Sequence, residues 1–137
     1  MDTPQSPHPS PPRFTQVILE TGPEGRARWR DQAIPLAEGT PASRLSALMP
    51  SGGLQLRESP VGFRSSPHCT GTPQWVFILR GVMGIGLPDG SLRRFGPGEH
   101  FYSADVLPDG ATFDAALHGH WSCQLGEEPL VTAFVRG

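Results

Sequence analysis

The chain has 137 residues, 36% hydrophobic and 18% charged, and a formal net charge of −2, which suits one globular domain with room for a core and is too short for two. Its basic side chains other than histidine are all arginine and lie scattered, so the basic stripe that a phosphate backbone requires is absent and nucleic acid is not an expected partner. With no lysine, Schiff-base chemistry on a lysine is excluded as well.

Residues 1–12, MDTPQSPHPSPP, offer almost nothing to bury and are expected to form a disordered tail, with His8 in solvent. They lack the basic flank and apolar run of a signal peptide, and the longest apolar stretch, WVFIL, stops at Arg80. No membrane segment is therefore expected, and the sequence reads as a cytoplasmic protein. Its two cysteines, Cys69 and Cys123, are expected to be reduced.

From Arg13 onward, 17 glycines and 16 prolines in the whole chain cut the apolar residues into short runs, and no helix-length window keeps a helical period. Strands are expected at Phe14–Glu20, Ala27–Leu36, Leu45–Met49, Leu54–Glu58 and Trp75–Leu79. They continue at Val82–Leu87, Leu92–Phe95, Phe101–Ala104, Trp121–Leu125 and Leu130–Val135. Phe14–Glu20 reads as a strand with an open edge on which a second copy would pair, so a homodimer is expected. Thr40-Pro41 is the one helical start signal and is good for a single turn. Asp89-Gly90, between two apolar runs, predicts a hairpin with a type I′ turn. So many short strands and turns describe an all-β single domain over residues 13–137, a sandwich or barrel.

Within GFRSSPHCTGTPQWVFILRG, residues Gly62, His68, Thr70, Gln74 and Gly81 fall at the spacing G-x5-H-x-H-x3–4-E-x6-G. The segment resembles the first cupin motif, with Thr70 standing for its second histidine and Gln74 for its glutamate. The stretch beginning at Gly98 is similar to the second motif, G-x5-P-x-G-x2-H-x3-N. Ala104 stands at the proline position, extra residues lie within Val106–Leu117, and His120 and Gln124 take the histidine and asparagine positions. The resemblance runs from Gly62 to the end. It implies a cupin-type β-barrel (a double-stranded β-helix or jelly roll), a divalent transition metal, and dioxygenase-, isomerase- or cyclase-like chemistry on a small organic substrate.

Alternate residues of a strand share a face, so His118 and His120 are expected to point the same way, with His68 supplying a third nitrogen from another strand. Three neutral imidazoles with open positions suit zinc, iron, manganese, nickel or copper. Gln74 adds a weak carbonyl ligand without charge, and His100 is held in reserve. By the same alternation the thiols of Cys69 and Cys123 should turn away from His68 and His120. Asp105, Glu99 and Asp114 flank the region, and one of them could orient an imidazole. Tyr102, Trp75, Trp121 and His100 are the expected substrate-pocket residues, with Arg64 and Arg80 as candidates for a carboxylate. Two functions remain open: a metal-dependent enzyme, or a metal-free cupin acting as a small-ligand-binding or structural module, which the changes at Thr70 and Gln74 favour.

Overall fold

Alternation along the strands decides which side chains meet in the core. A computed structural model describes residues 12–137, and its regular structure is entirely β. The strands are β1 (Arg13–Thr21), β2 (Ala27–Pro35), β3 (Glu38–Thr40), β4 (Ser43–Leu45), β5 (Leu54–Ser59), β6 (Gln74–Arg80), β7 (Val82–Gly86), β8 (Leu92–Phe95), β9 (His100–Ala104), β10 (Trp121–Leu125) and β11 (Leu130–Arg136). Among the described residues no helix is long and apolar enough to cross a membrane. The segment read as a disordered tail lies outside the described residues except for Pro12, whose carbonyl accepts the Leu36 N–H.

Six strands form one sheet in the order β2-β1-β9-β6-β11-β5, three form a second in the order β10-β7-β8, and β3 and β4 make a small hairpin. Leu19, Val76, Ile78, Phe101 and Leu130 from the first sheet pack with Met83, Ile85 and Phe95 from the second. Their packing buries the inner faces of both sheets, an all-β arrangement compatible with a β-sandwich or jelly roll. The expected closed barrel does not form. β2 and β5 remain free edges of the large sheet and β8 a free edge of the small one.

The N-terminal strand is not an open edge either. β1 pairs antiparallel with β2 over its whole length and parallel with β9, which leaves β2 outermost. Thr40-Pro41 starts no helical turn: Thr40 pairs with Ser43 across Pro41-Ala42, since a proline that opens a helix serves equally at the first corner of a β-turn. Residues 46–50 form no strand, and Leu48, 98% exposed, has no core to face.

The hairpin of β7 and β8 is present, but its turn differs from the expected type. Leu87 O accepts the Gly90 N–H, Gly90 has φ +88°, and among the described residues none other than glycine has positive φ. A type I′ turn needs two such residues. Pro88 fixes the first corner at negative φ instead, giving a type I turn followed by a glycine bulge.

Beyond β10, residues 63–68 run antiparallel to it as an irregular edge. Gln124 N–H donates to Phe63 O, Ser65 N–H to Ser122 O, and His68 and His120 exchange both backbone hydrogen bonds at 2.9 Å. This pairing brings two distant histidines side by side.

Candidate functional site

The His68 and His120 rings lie with centroids 4.9 Å apart and planes 59° apart, at the mouth between the two sheets. Each ring has one nitrogen committed. His68 Nδ1 is 2.8 Å from the Ser66 carbonyl and His120 Nδ1 is 2.9 Å from Asp105 Oδ2. A carbonyl and a carboxylate can only accept, so both imidazoles carry the proton on Nδ1, and the lone pair of a neutral ring resides on Nε2. No buried side-chain nitrogen or oxygen among the described residues lacks a partner, so His120 Nε2, which has no hydrogen bond, reaches open volume.

Asp105 is the carboxylate of the three flanking candidates that orients an imidazole. It is fully buried; its Oδ1 accepts the Thr21 hydroxyl at 2.8 Å, and its backbone carbonyl accepts the Thr70 N–H at 2.7 Å. These bonds tie the loop after β9 to the end of β1 and to the segment bearing His68, which fixes the carboxylate under the ring. Glu99 and Asp114 instead satisfy turns, accepting the N–H groups of Gly96 and Ala116.

The two rings open into a cavity of about 330 Å³ between the sheets. Thr70, Gln74, Ser103 and Ser122 give it a polar wall, in which Thr70 Oγ1 and Ser103 Oγ are 2.7 Å apart. Val76, Met83, Ile85, Phe101 and Phe134 give it an apolar floor, and Arg57 and Arg136 stand at its rim. Cys69 borders it too, because residues 69–73 lie outside any strand and alternation does not govern them. Burial, and secondarily the charge of Asp105, push the Cys69 thiol above its ordinary pKa, which keeps it protonated and a poor ligand. Cys123 faces the other side of its sheet, against Gly84.

His118 does not join this pair. Gly119 has φ +78°, so the residues on either side of it are not related by strand alternation, and β10 begins only at Trp121. His118 packs beside Gly25 and Phe113, and its Nδ1 accepts the Asp114 N–H at 3.0 Å, which places the proton of the neutral ring on Nε2 and leaves no free lone pair.

His100, Trp75 and Tyr102 lie on the opposite face of the large sheet. His100 packs against Phe14, Trp75 and Phe77, its Nε2 accepts the Val17 N–H, and burial lowers its pKa. Trp75 and Phe77 stack there at 5.6 Å and border an apolar groove of about 690 Å³ under residues 45–51, while Tyr102 Oη donates to the Gly137 carbonyl. Trp121 is on the outside of the small sheet. It fills the space where Gly86 has no side chain, and the Arg64 guanidinium lies 4.0 Å over its ring. The four expected pocket residues thus point away from the histidine pair. Phe101 and Phe134 take their place, as the strand register of β9 and β11 requires.

A Zn–N bond of about 2.0–2.1 Å puts the centre of a ligating imidazole about 3 Å from the ion, and two such rings at a tetrahedral angle about 5 Å apart. The observed 4.9 Å agrees, and Nδ1–H donation to a carboxylate or carbonyl is the usual support of a ligating histidine. The spacing and tautomers of the pair are compatible with two ligands of one divalent transition metal, and Thr70, Gln74, Ser103 and Ser122 place neutral oxygen donors on the same pocket wall. No group of three or more His, Cys, Asp or Glu suited to a metal ion occurs among the described residues. No protein-family model matches the chain, and no curated protein matches it either.

Proposed function

We propose that the cavity between the sheets binds a divalent transition metal through His68 and His120 and acts on a small organic molecule held beside it, as the cupin resemblance implies. The observation that carries this reading is the matched state of the two neighbouring rings: both Nδ1 protons are donated to fixed acceptors, and neither Nε2 has a hydrogen-bond partner among the described residues. A bound metal would supply Lewis-acid or redox chemistry to a coordinated substrate.

The protein's own groups divide the remaining work. Asp105 fixes the His120 tautomer and, as a buried anion, offsets part of the charge arriving at the site. Ser66 O orients His68 without contributing charge. The Thr70–Ser103 hydroxyl pair and the Gln74 amide offer hydrogen bonds along one wall, while Val76, Ile85 and Phe134 exclude water from the other. The reaction class stays within dioxygenase-, isomerase- or cyclase-like chemistry.

One observation favours a second reading, a metal-free ligand-binding module: the pair lacks a third His, Cys, Asp or Glu among the described residues. Elemental analysis of untagged protein separates the two. The enzyme reading expects a stoichiometric metal that His68→Ala and His120→Ala each abolish. A wild-type protein free of metal after growth with several transition metals selects the binding module.

A further inference from the structure

Arg57 and Arg136 escape attention in the sequence, where they are two of eleven scattered basic residues. The sheet register gathers them. Thr132 of β11 lies opposite Arg57 of β5, and Arg136 lies two pairs further along the same inner face, beyond Phe134 and opposite Gln74 of β6. Both side chains border the cavity that holds the histidine pair. Among the described residues the ion pairs are Arg28–Glu20, Arg30–Glu20 and His120–Asp105, so neither rim arginine has a carboxylate partner.

Arg57 is positioned as well as unpaired. Its guanidinium lies 4.6 Å over the Phe63 ring and 5.9 Å from that of Phe134, which confines the planar group at the cavity mouth. The side chain remains exposed at the cavity mouth, and partial desolvation there lowers its pKa. A guanidinium held in this way presents a fork of donors matched to a carboxylate. Arg64 and Arg80 are not so placed, since Arg64 covers Trp121 on the outer surface and neither borders the cavity.

Resting on the proposed function for the cavity, we infer that its substrate is a small organic carboxylate, gripped by Arg57 with Arg136 beside it. The apolar body of the molecule lies on Phe134, Val76 and Ile85, and its opposite end faces His68 and His120. A volume of about 330 Å³ at the low end of ligand pockets limits the molecule to a small one, and the apolar floor selects an organic body over a bare inorganic anion.

Calorimetric titration of the full chain tests this with acetate, isobutyrate, benzoate and phenylacetate, each against its own neutral amide, with inorganic phosphate as a further arm and Zn²⁺ titrated separately. At least one carboxylate is expected to bind on the order of tenfold more tightly than its amide, and Arg57→Gln should remove that preference while leaving Zn²⁺ affinity unchanged. Arg136→Gln, at an exposed side chain outside the core cluster, should weaken the preference in a protein whose folding is not at issue. The inference is overturned if no carboxylate outbinds its amide, if the preference survives Arg57→Gln, or if phosphate binds more tightly than every carboxylate. Absence of Zn²⁺ binding alongside an Arg57-dependent carboxylate preference would instead defeat the metal reading and leave this one standing.

Discussion

Asp105 and His100 show what burial does to a single titratable side chain when its partner differs. Asp105 is buried with two donors, the His120 Nδ1–H and the Thr21 hydroxyl. Asp105→Ala leaves the buried His120 Nδ1–H without its acceptor, while the Thr21 hydroxyl keeps the Val106 carbonyl at 2.9 Å, so a loss of about 1–3 kcal/mol is expected, measurable by urea denaturation. Asp105→Asn keeps the volume but removes the charge and the fixed tautomer of His120, and Zn²⁺ affinity should fall about ten- to hundredfold in a chelator competition. His100 has only the Val17 N–H and three aromatic rings around it, so burial disfavours its cation and lowers its pKa. The unfolded chain takes up that proton near pH 6.5, so the His100 contribution is complete above this pH and declines as the pH falls from there through the lower folded value. His100→Phe should flatten that part of the pH dependence of the urea midpoint.

At the scale of elements, the site depends on residues 63–68 pairing with β10 and on the backbone that permits it. Gly119 has φ +78°, and a Cβ there would come within 2.6 Å of the His68 carbonyl, a backbone atom that cannot give way alone. Gly119→Ala should therefore destabilise by about 1–3 kcal/mol and weaken Zn²⁺ binding as the two rings separate. Gly90→Ala is the matched control. It has a similar φ of +88° but open space around the Cβ, so it should lose stability through backbone strain alone and leave Zn²⁺ affinity as it was. The same element explains why the i, i+2 reading of His118 and His120 does not survive folding. A left-handed glycine between them breaks the alternation on which that reading rests, whereas β6, with no such residue, alternates as its sequence suggests.

For the molecule as a whole, the cavity joins the two layers. Gln74, Ser103 and Phe134 come from the large sheet, and Met83, Ile85 and Ser122 from the small one, with the histidine pair at the edge of the latter. A ligand that binds only where these layers meet binds the native state and not the unfolded chain, so Zn²⁺ at a hundred times its Kd should raise the unfolding free energy by about 2.7 kcal/mol. Denaturation midpoints measured across a Zn²⁺ series should rise with the logarithm of concentration and stay constant in His120→Ala. The outer face of the large sheet, where Leu54, Leu56 and Leu79 are exposed beside the aromatic groove, belongs to none of this chemistry.

The order of apolar runs and turn residues determined the all-β class, most of the strands and the β7–β8 hairpin, because these follow from local backbone preference. Register and layer packing decided the rest. They left the sheets unclosed, turned Trp75, His100 and Tyr102 to the outer face, supplied Asp105 and Thr21 to His120, and set Arg57 and Arg136 beside a shared cavity. Side-chain direction in a sheet reverses with a shift of one residue, and the partners of a polar group 84 residues away in the chain, as Thr21 is from Asp105, exist only once the layers have met.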